Sequence, residues 1–264
     1  MKELMEAKKF YEFGQYIKGA MSRKIARKKY EEYDALIKEA LGQLIIIKEE
    51  NMIIDIGEDY LFNFKKYNKE FNQPFVDFVI KVFINGRKGR RVQFLEKVIY
   101  QTEGKIKEFY SVLSDAYIAA KEHNKAYRYA IKSQQLDKFY PILNELIKIG
   151  NPSEKDLFIC RAVLEFLCSE LSEPAYLILA RYSGEFKSSP LYQFTQWILH
   201  AIKIKSFNAF KEIILGFSQQ LERDEDLIRY LDKISQKYFG QNIIEQEGLS
   251  KMLGSMLKMM APQK

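Results

Sequence analysis

The chain has 264 residues, 47% of them hydrophobic and 14% aromatic, with only 13 Gly and 6 Pro. Its formal net charge is +7, all of it in residues 1–150 (28 Lys and Arg against 21 Asp and Glu), while residues 151–264 balance at 14 and 14. Two cysteines, Cys160 and Cys168, eight apart in one apolar helical run, exclude a disulfide framework and a zinc spacing and fit a reducing compartment.

In chain order, the opening MKELMEAKK is too charged for a secretory signal peptide, and no apolar run reaches bilayer length, so a cytosolic protein is expected. Apolar residues then recur at helical spacing almost throughout. Leu36, Ala40, Leu44 and Ile47 make one face, Phe75, Phe78, Val79, Val82 and Phe83 a second, and Phe94, Leu95, Val98 and Ile99 a third. Breaks are expected near Ala20–Ser22, Glu50–Asn51, Asn68–Gln73, Asn85–Gly89, Thr102–Gly104, Glu122–Asn124, Gly150–Ser153, Leu171–Pro174, Ser183–Pro190, Lys205–Phe207 and Glu222–Asp224. Asn151-Pro152-Ser153-Glu154 reads as a helix start with a Ser cap, and Pro174 and Pro190 fit first-turn positions. No stretch alternates like a strand. Roughly thirteen to fifteen helices follow.

Tyr110, Leu113, Ser114, Tyr117, Ala126 and Ala130 sit at the offsets of a tetratricopeptide helix pair, in which small residues let two antiparallel helices approach. Other segments fit that pattern poorly. The expected fold is therefore an all-α solenoid of stacked antiparallel helix pairs with degenerate tetratricopeptide-like repeats. Charge divides it into an N-terminal half, 1–150, and a C-terminal half, 151–264.

Signs of chemistry are sparse. His123 and His200 stand alone, and no HExxH, CxxC, EF-hand or GxSxG pattern occurs. Gly86-Arg87-Lys88-Gly89-Arg90-Arg91 lacks the phosphate-loop spacing and reads as a solvated turn or a weak phosphate grip. Arg23 to Lys29 is basic too, with Tyr30 and Tyr33 after it, but Glu31, Glu32 and Asp34 follow at once and favour pairing along an exposed helix face. In the tail, Leu249, Met252, Leu253, Met256, Leu257 and Met260 form an apolar stripe that suits either an adaptable partner contact or a cap on the last repeat. No enzyme, cofactor or metal site is expected.

Several strings, in this order, carry a resemblance. Phe10-Tyr11-Glu12 with Gln15, then Tyr30-Glu31 and Ala40-Leu41, Arg91-Val92-Gln93-Phe94, the run Phe158 to Cys168, and Arg223-Asp224 through Tyr230-Leu231-Asp232-Lys233-Ile234 to Tyr238-Phe239-Gly240 resemble the Golgi-to-ER traffic protein 4 family. The resemblance implies a cytosolic α-solenoid adaptor for tail-anchored membrane proteins. Its N-terminal half binds a dimeric targeting ATPase, and its C-terminal half binds a ubiquitin-like protein that recruits co-chaperones. In animals that half also binds a large chaperone-like subunit. It further implies an ATPase contact at Tyr11, Glu12, Gln15, Tyr30 and Glu31, with Asp55 as a regulatory acid, and a ubiquitin-like-partner contact around Phe194, Ile198, Tyr230, Ile234 and Tyr238. Two departures stand out. Ser183 to Ser189 is short for the family's partner-clasping hairpin, and Phe13-Gly14 stands where the family carries Ala-His. The competing expectation is a helical-repeat RNA-associated protein, should Arg23, Lys24, Arg27, Lys28, Lys29, Arg87, Lys88, Arg90 and Arg91 converge.

Overall fold

A computed structural model of the chain describes residues 10–64 and 70–243. Among the described residues it contains fifteen α-helices, one 3-10 turn and no strand. The helices are α1 (Phe10–Ala26), α2 (Tyr30–Ile47), α3 (Glu50–Phe64), α4 (Gln73–Asn85), α5 (Lys88–Gln101), α6 (Lys107–Ala119), α7 (His123–Ser133) and α8 (Leu136–Ile149). After the turn Pro152–Glu154 come α9 (Lys155–Cys168), α10 (Ser172–Arg181), α11 (Ser183–Phe186), α12 (Pro190–Lys203), α13 (Phe207–Gly216), α14 (Ser218–Leu221) and α15 (Asp226–Phe239). They form two compact units that divide after Ala120. The division suggested by charge was Gly150. Packing moves it earlier because α8 buries Phe139 edge-on against Phe166 of α9, ring centroids 5.1 Å apart.

In the first unit each helix packs on its neighbours, α3 also on α5 and α2 also on α4, so that α3 and α5 share one layer and α2 and α4 the other. α3 is buried on two sides, through Ile53, Ile54, Ile56, Tyr60, Leu61 and Phe64. Gly57 makes this possible: a Cβ there would stand 2.6 Å from Val82 Cγ1 and 3.1 Å from the Phe94 ring. Part of the high aromatic content forms a cluster in this unit, with centroids 4.3 Å apart for Tyr60 and Phe78, 4.4 Å for Phe64 and Phe75, and 6.3 Å for Phe75 and Phe109.

The second unit is built around α9, which packs on α8, α10, α12 and α15. Leu157, Ile159, Cys160, Ala162, Val163, Leu164, Phe166 and Leu167 are all buried. Burial pushes the Cys160 thiol up to about 12, so it is an inert filler. The tetratricopeptide-like offsets fall on both sides of the division. Leu113, Ser114 and Tyr117 are buried on α6, and Ala126 and Ala130 on α7.

Three expectations need correction. The break near Ala20–Ser22 does not exist: Ala20 and Met21 continue the buried face of Phe13 and Ile17, and Ser22 Oγ donates to the Lys18 carbonyl at 2.9 Å within an unbroken α1. Breaks at Arg27–Lys29, inside the stretch expected to lie along one helix face, and at Gln134 are absent from the expected set. The helix start at residue 151 is capped by Asn151, whose side chain accepts from the Ser153 N–H, and not by Ser153. Asn72, Ser189 and Ser206 cap α4, α12 and α13 in the same way.

The turns explain the missing breaks. Among the described residues, seven non-glycine residues adopt the left-handed conformation: Lys28, Lys48, Glu103, Lys121, Gln134, Glu170 and Lys205. Each ends a helix where glycine is the usual choice. Lys48, with φ 60° and its N–H bonded to the Ile45 carbonyl, is exposed. Lys48→Gly relieves the left-handed strain at the cost of extra unfolded-chain entropy and is expected to stabilise by about 0.5–1 kcal/mol. Chemical denaturation checks it, with Lys48→Ala as the variant that gains nothing.

Candidate docking surfaces

The expected N-terminal contacts fall at the two ends of α1, Glu12 and Gln15 in its first turns and Tyr30 and Glu31 beyond its last, and form no pocket together. Glu12, Gln15 and Glu31 are exposed, and Tyr30 opens α2 half-buried. Tyr11 stands in the first turn of α1, its side chain outside the described residues. Beside Tyr30 and Glu31, Lys24 and Lys29 both clamp Glu32, at 2.8 and 2.7 Å, and these two bonds hold its carboxyl down at about 2.

Asp55 belongs to a ladder across α3 and α5. Arg90 bonds Asp55 at 2.8 Å and Glu58 at 3.0 Å, and Lys97 reaches Glu58 at 2.6 Å. Next along α3, burial raises the Asp59 carboxyl, opposed by Lys18 and reinforced by Asp55 and Glu58. The two basic stretches are thus largely occupied. Arg87 donates to Asn51, and Arg91 lies 5.1 Å over the Phe83 ring. They also stand apart: Arg23 to Lys29 are at the α1–α2 turn and Arg87 to Arg91 at the α4–α5 turn, the opposite end of the antiparallel helices. The convergence required for a phosphate-binding stripe does not occur.

In the second unit, a row of polar contacts fastens α15 and the turn before it to α9. Arg223 donates to Asp156 at 2.9 Å, Arg161 to Asp224 at 2.5 Å, the Tyr230 hydroxyl to Glu165 at 2.8 Å, and Lys237 to Glu170 at 2.9 Å. Cys168 Sγ also lies 3.4 Å from the Tyr230 carbonyl. Glu165 is the buried member. Burial raises its carboxyl above the usual range, while Tyr127, Tyr230 and Arg161 pull the other way. Its second oxygen has no hydrogen-bond partner among the described residues.

This fixes a pH dependence. A carboxyl raised on folding binds more protons in the native state, so its contribution to stability falls as pH rises from the unfolded value through the folded one. Glu165→Gln keeps an acceptor for Tyr230 and removes the charge. It is expected to be more stable than the parent above that window and to lose the advantage below it. Melting temperature against pH for both proteins tests this, and an advantage that grows with falling pH contradicts it.

The expected C-terminal contacts divide by burial. Phe194, Ile198 and Ile234 are fully buried and serve the core of the unit. Tyr230 and Tyr238 are half-buried, Tyr230 being spent on Glu165. The outward face of α12 instead carries Gln193, Gln196, Trp197, His200 and Lys203, at offsets of three, four, seven and ten. Trp197 is 53% exposed and meets the His200 ring edge-on, centroids 6.2 Å apart. Between α10 and α12 a groove of about 480 Å³ is floored by Leu179, Tyr192 and Leu199 and rimmed by Tyr176, Lys187 and Lys203. Ser183 to Ser189, the short counterpart of the hairpin, is one helical turn, α11, and a capping serine. The Met-rich stripe from Leu249 to Met260 lies outside the described residues.

No described helix is long and apolar enough to cross a membrane. Fold and surfaces together define an α-solenoid of stacked helix pairs whose outward faces are available for other molecules. The sequence profile of the family described as Golgi to ER traffic protein 4 matches residues 27–260, and the chain belongs to that family. It is 23% identical to the Golgi to ER traffic protein 4 homolog of Dictyostelium discoideum, over 94% of this chain and 84% of that one. It is 22% identical to the Xenopus tropicalis homolog, over 94% and 81%. The crystal structure of C. therm. Get4 has the same fold, with a TM-score of 0.76 at 16% identity over 94% of this chain and 90% of that one.

Proposed function

We propose that this protein is a non-catalytic cytosolic adaptor. It bridges a targeting ATPase for tail-anchored proteins and a ubiquitin-like, co-chaperone-recruiting partner, for delivery of membrane proteins to the endoplasmic reticulum. The observation that carries the reading is family membership from residue 27 to residue 260, which spans both compact units. The first unit receives the ATPase, with Tyr11, Glu12 and Gln15 at the start of α1, Tyr30 and Glu31 beyond its end, and Asp55 on α3. The second unit receives the ubiquitin-like partner on the α10–α12 groove and the outer face of α12, with Tyr230 and Tyr238 beside α9. Phe194, Ile198 and Ile234 act from beneath, by holding α12 and α15 in place. No bond-making step is needed, because an adaptor that prefers one nucleotide state of the ATPase shifts its population. Holding both partners on one chain raises their effective concentration.

Affinity capture from native cytosol, repeated after nuclease treatment, tests the reading. Recovery of an ATPase and a ubiquitin-like protein supports it. Recovery of neither, or of nuclease-sensitive ribonucleoprotein instead, overturns it. Two exposed-face variants separate the surfaces. Glu12→Lys with Gln15→Ala is expected to cut ATPase recovery at least about tenfold and spare the other partner. Tyr176→Ala with Trp197→Ala is expected to do the reverse.

A further inference from the structure

The layer opposite the Asp55–Arg90 ladder contains a second groove that the adaptor reading does not use. It runs between α2 and α4 in the first unit and encloses about 530 Å³. Its walls are two helical stripes. Lys38, Leu41, Gly42 and Ile45 come from α2, and Pro74, Asp77, Phe78, Lys81 and Asn85 from α4. The residues repeat at three, four and seven on both helices, so the groove follows the helix axes. It spans eleven steps from Pro74 to Asn85, about 16 Å at the helical rise, which is three turns of a third helix. Ile46 and Ile84, 73% and 62% exposed, stand at the same ends of the two helices as Ile45 and Asn85 and prolong the apolar surface.

Gly42 is the unusual residue. Glycine inside a helix costs about 0.5–1 kcal/mol relative to alanine, and such a position normally has a packing reason. Here a Cβ would meet nothing within 4 Å. The missing side chain therefore serves no contact within the unit, and its effect is to keep the groove open. The rim supplies the sign of the occupant. Lys38 and Lys81 are exposed and have no ion-pair partner among the described residues. The one acid lining the groove, Asp77, accepts from Gln73 at 2.9 Å and keeps its charge, so the rim carries two cations against one anion.

We propose that the α2–α4 groove docks an amphipathic helix of a partner protein, about three turns long, with an apolar stripe for the floor and acidic residues beside it for Lys38 and Lys81. Helix-in-groove recognition of this kind uses anchors at i, i+3 or i+4 and i+7, which match the spacing of the walls. The proposal stands independently of the adaptor reading, since it uses neither the expected N-terminal contacts nor the second unit.

The test uses the full chain and a fluorescein-labelled synthetic helical peptide of about fifteen residues, with leucines at those anchor positions and glutamates flanking them, titrated by fluorescence anisotropy. Saturable binding is expected, weakened at least about tenfold when lysines replace the glutamates. Gly42→Trp is expected to weaken it at least as much while the melting temperature stays unchanged or rises, because the new side chain enters the groove alone. Gly42→Gln supplies the same obstruction if tryptophan perturbs folding. Lys38→Glu with Lys81→Glu is expected to reverse the charge preference. No binding by the parent chain, binding unmoved by either Gly42 variant, or equal binding of the lysine peptide overturns the proposal. So does a concentration-dependent dimer abolished by Gly42→Trp, which would make a second copy of the chain the occupant.

Discussion

Phe75→Ala is expected to remove about 3–5 kcal/mol of stability, the cost typical of deleting a buried phenylalanine from a core that cannot collapse around the void. Phe75 is 1% exposed and stacks or tilts against Tyr60, Phe64 and Phe71, with an edge contact to Phe109. Those rings come from two other helices, α3 and α6, and from Phe71 just ahead of α4, so no single neighbour can shift to refill the space. Phe75→Leu keeps most of the volume and is expected to cost much less. Urea denaturation followed by helical circular dichroism measures both, and a cost below about 1 kcal/mol for the alanine variant would mean that the aromatic cluster is loosely packed.

The second large effect lies in the α9–α15 row. Arg161→Ala leaves Asp224, whose side chain is 7% exposed, as a buried carboxylate without its cation. Removing one member of such a pair costs about 3 kcal/mol or more, chiefly because the survivor has lost its solvent and gained nothing. The signature is non-additivity. Arg161→Met combined with Asp224→Leu is expected to recover most of the loss, and a double-mutant cycle measures the recovery directly. If the double variant is as unstable as the sum of the single ones, the pair is not coupled and the row does not fasten α15.

The fold was legible wherever buried residues kept helical spacing. The faces of Phe75 to Phe83 and of Phe94 to Val98 appear in the structure as α4 and α5 with those residues inside. Legibility failed at turns written in polar residues. Gln134 turns the chain between α7 and α8 in a conformation that glycine or asparagine usually marks, and nothing in its own chemistry announces it. The opposite error occurred at Ala20–Ser22, where small residues looked like a break but fill a buried face.

Which side of a helix faces outward was read less well, for a related reason. Phe194, Ile198 and Ile234 are apolar residues chosen by type and by place in the family resemblance, and residue type alone does not say which side of a helix faces outward. The period does. Trp197 and His200 are three and six residues on from Phe194, on the polar side defined by Gln193, Gln196 and Lys203. Charge was a poor guide to the division of the chain because it reports solvent exposure, whereas the boundary is set by which helix Phe139 packs against.

The guanidinium of Arg90 gives Asp55 and Glu58 a counter-charge before any outside molecule arrives. A lysine or arginine that met Asp55 from outside would have to displace Arg90, which would fall back on Glu58, already shared with Lys97. The number of ionic pairs hardly changes, so little net energy is released by the encounter.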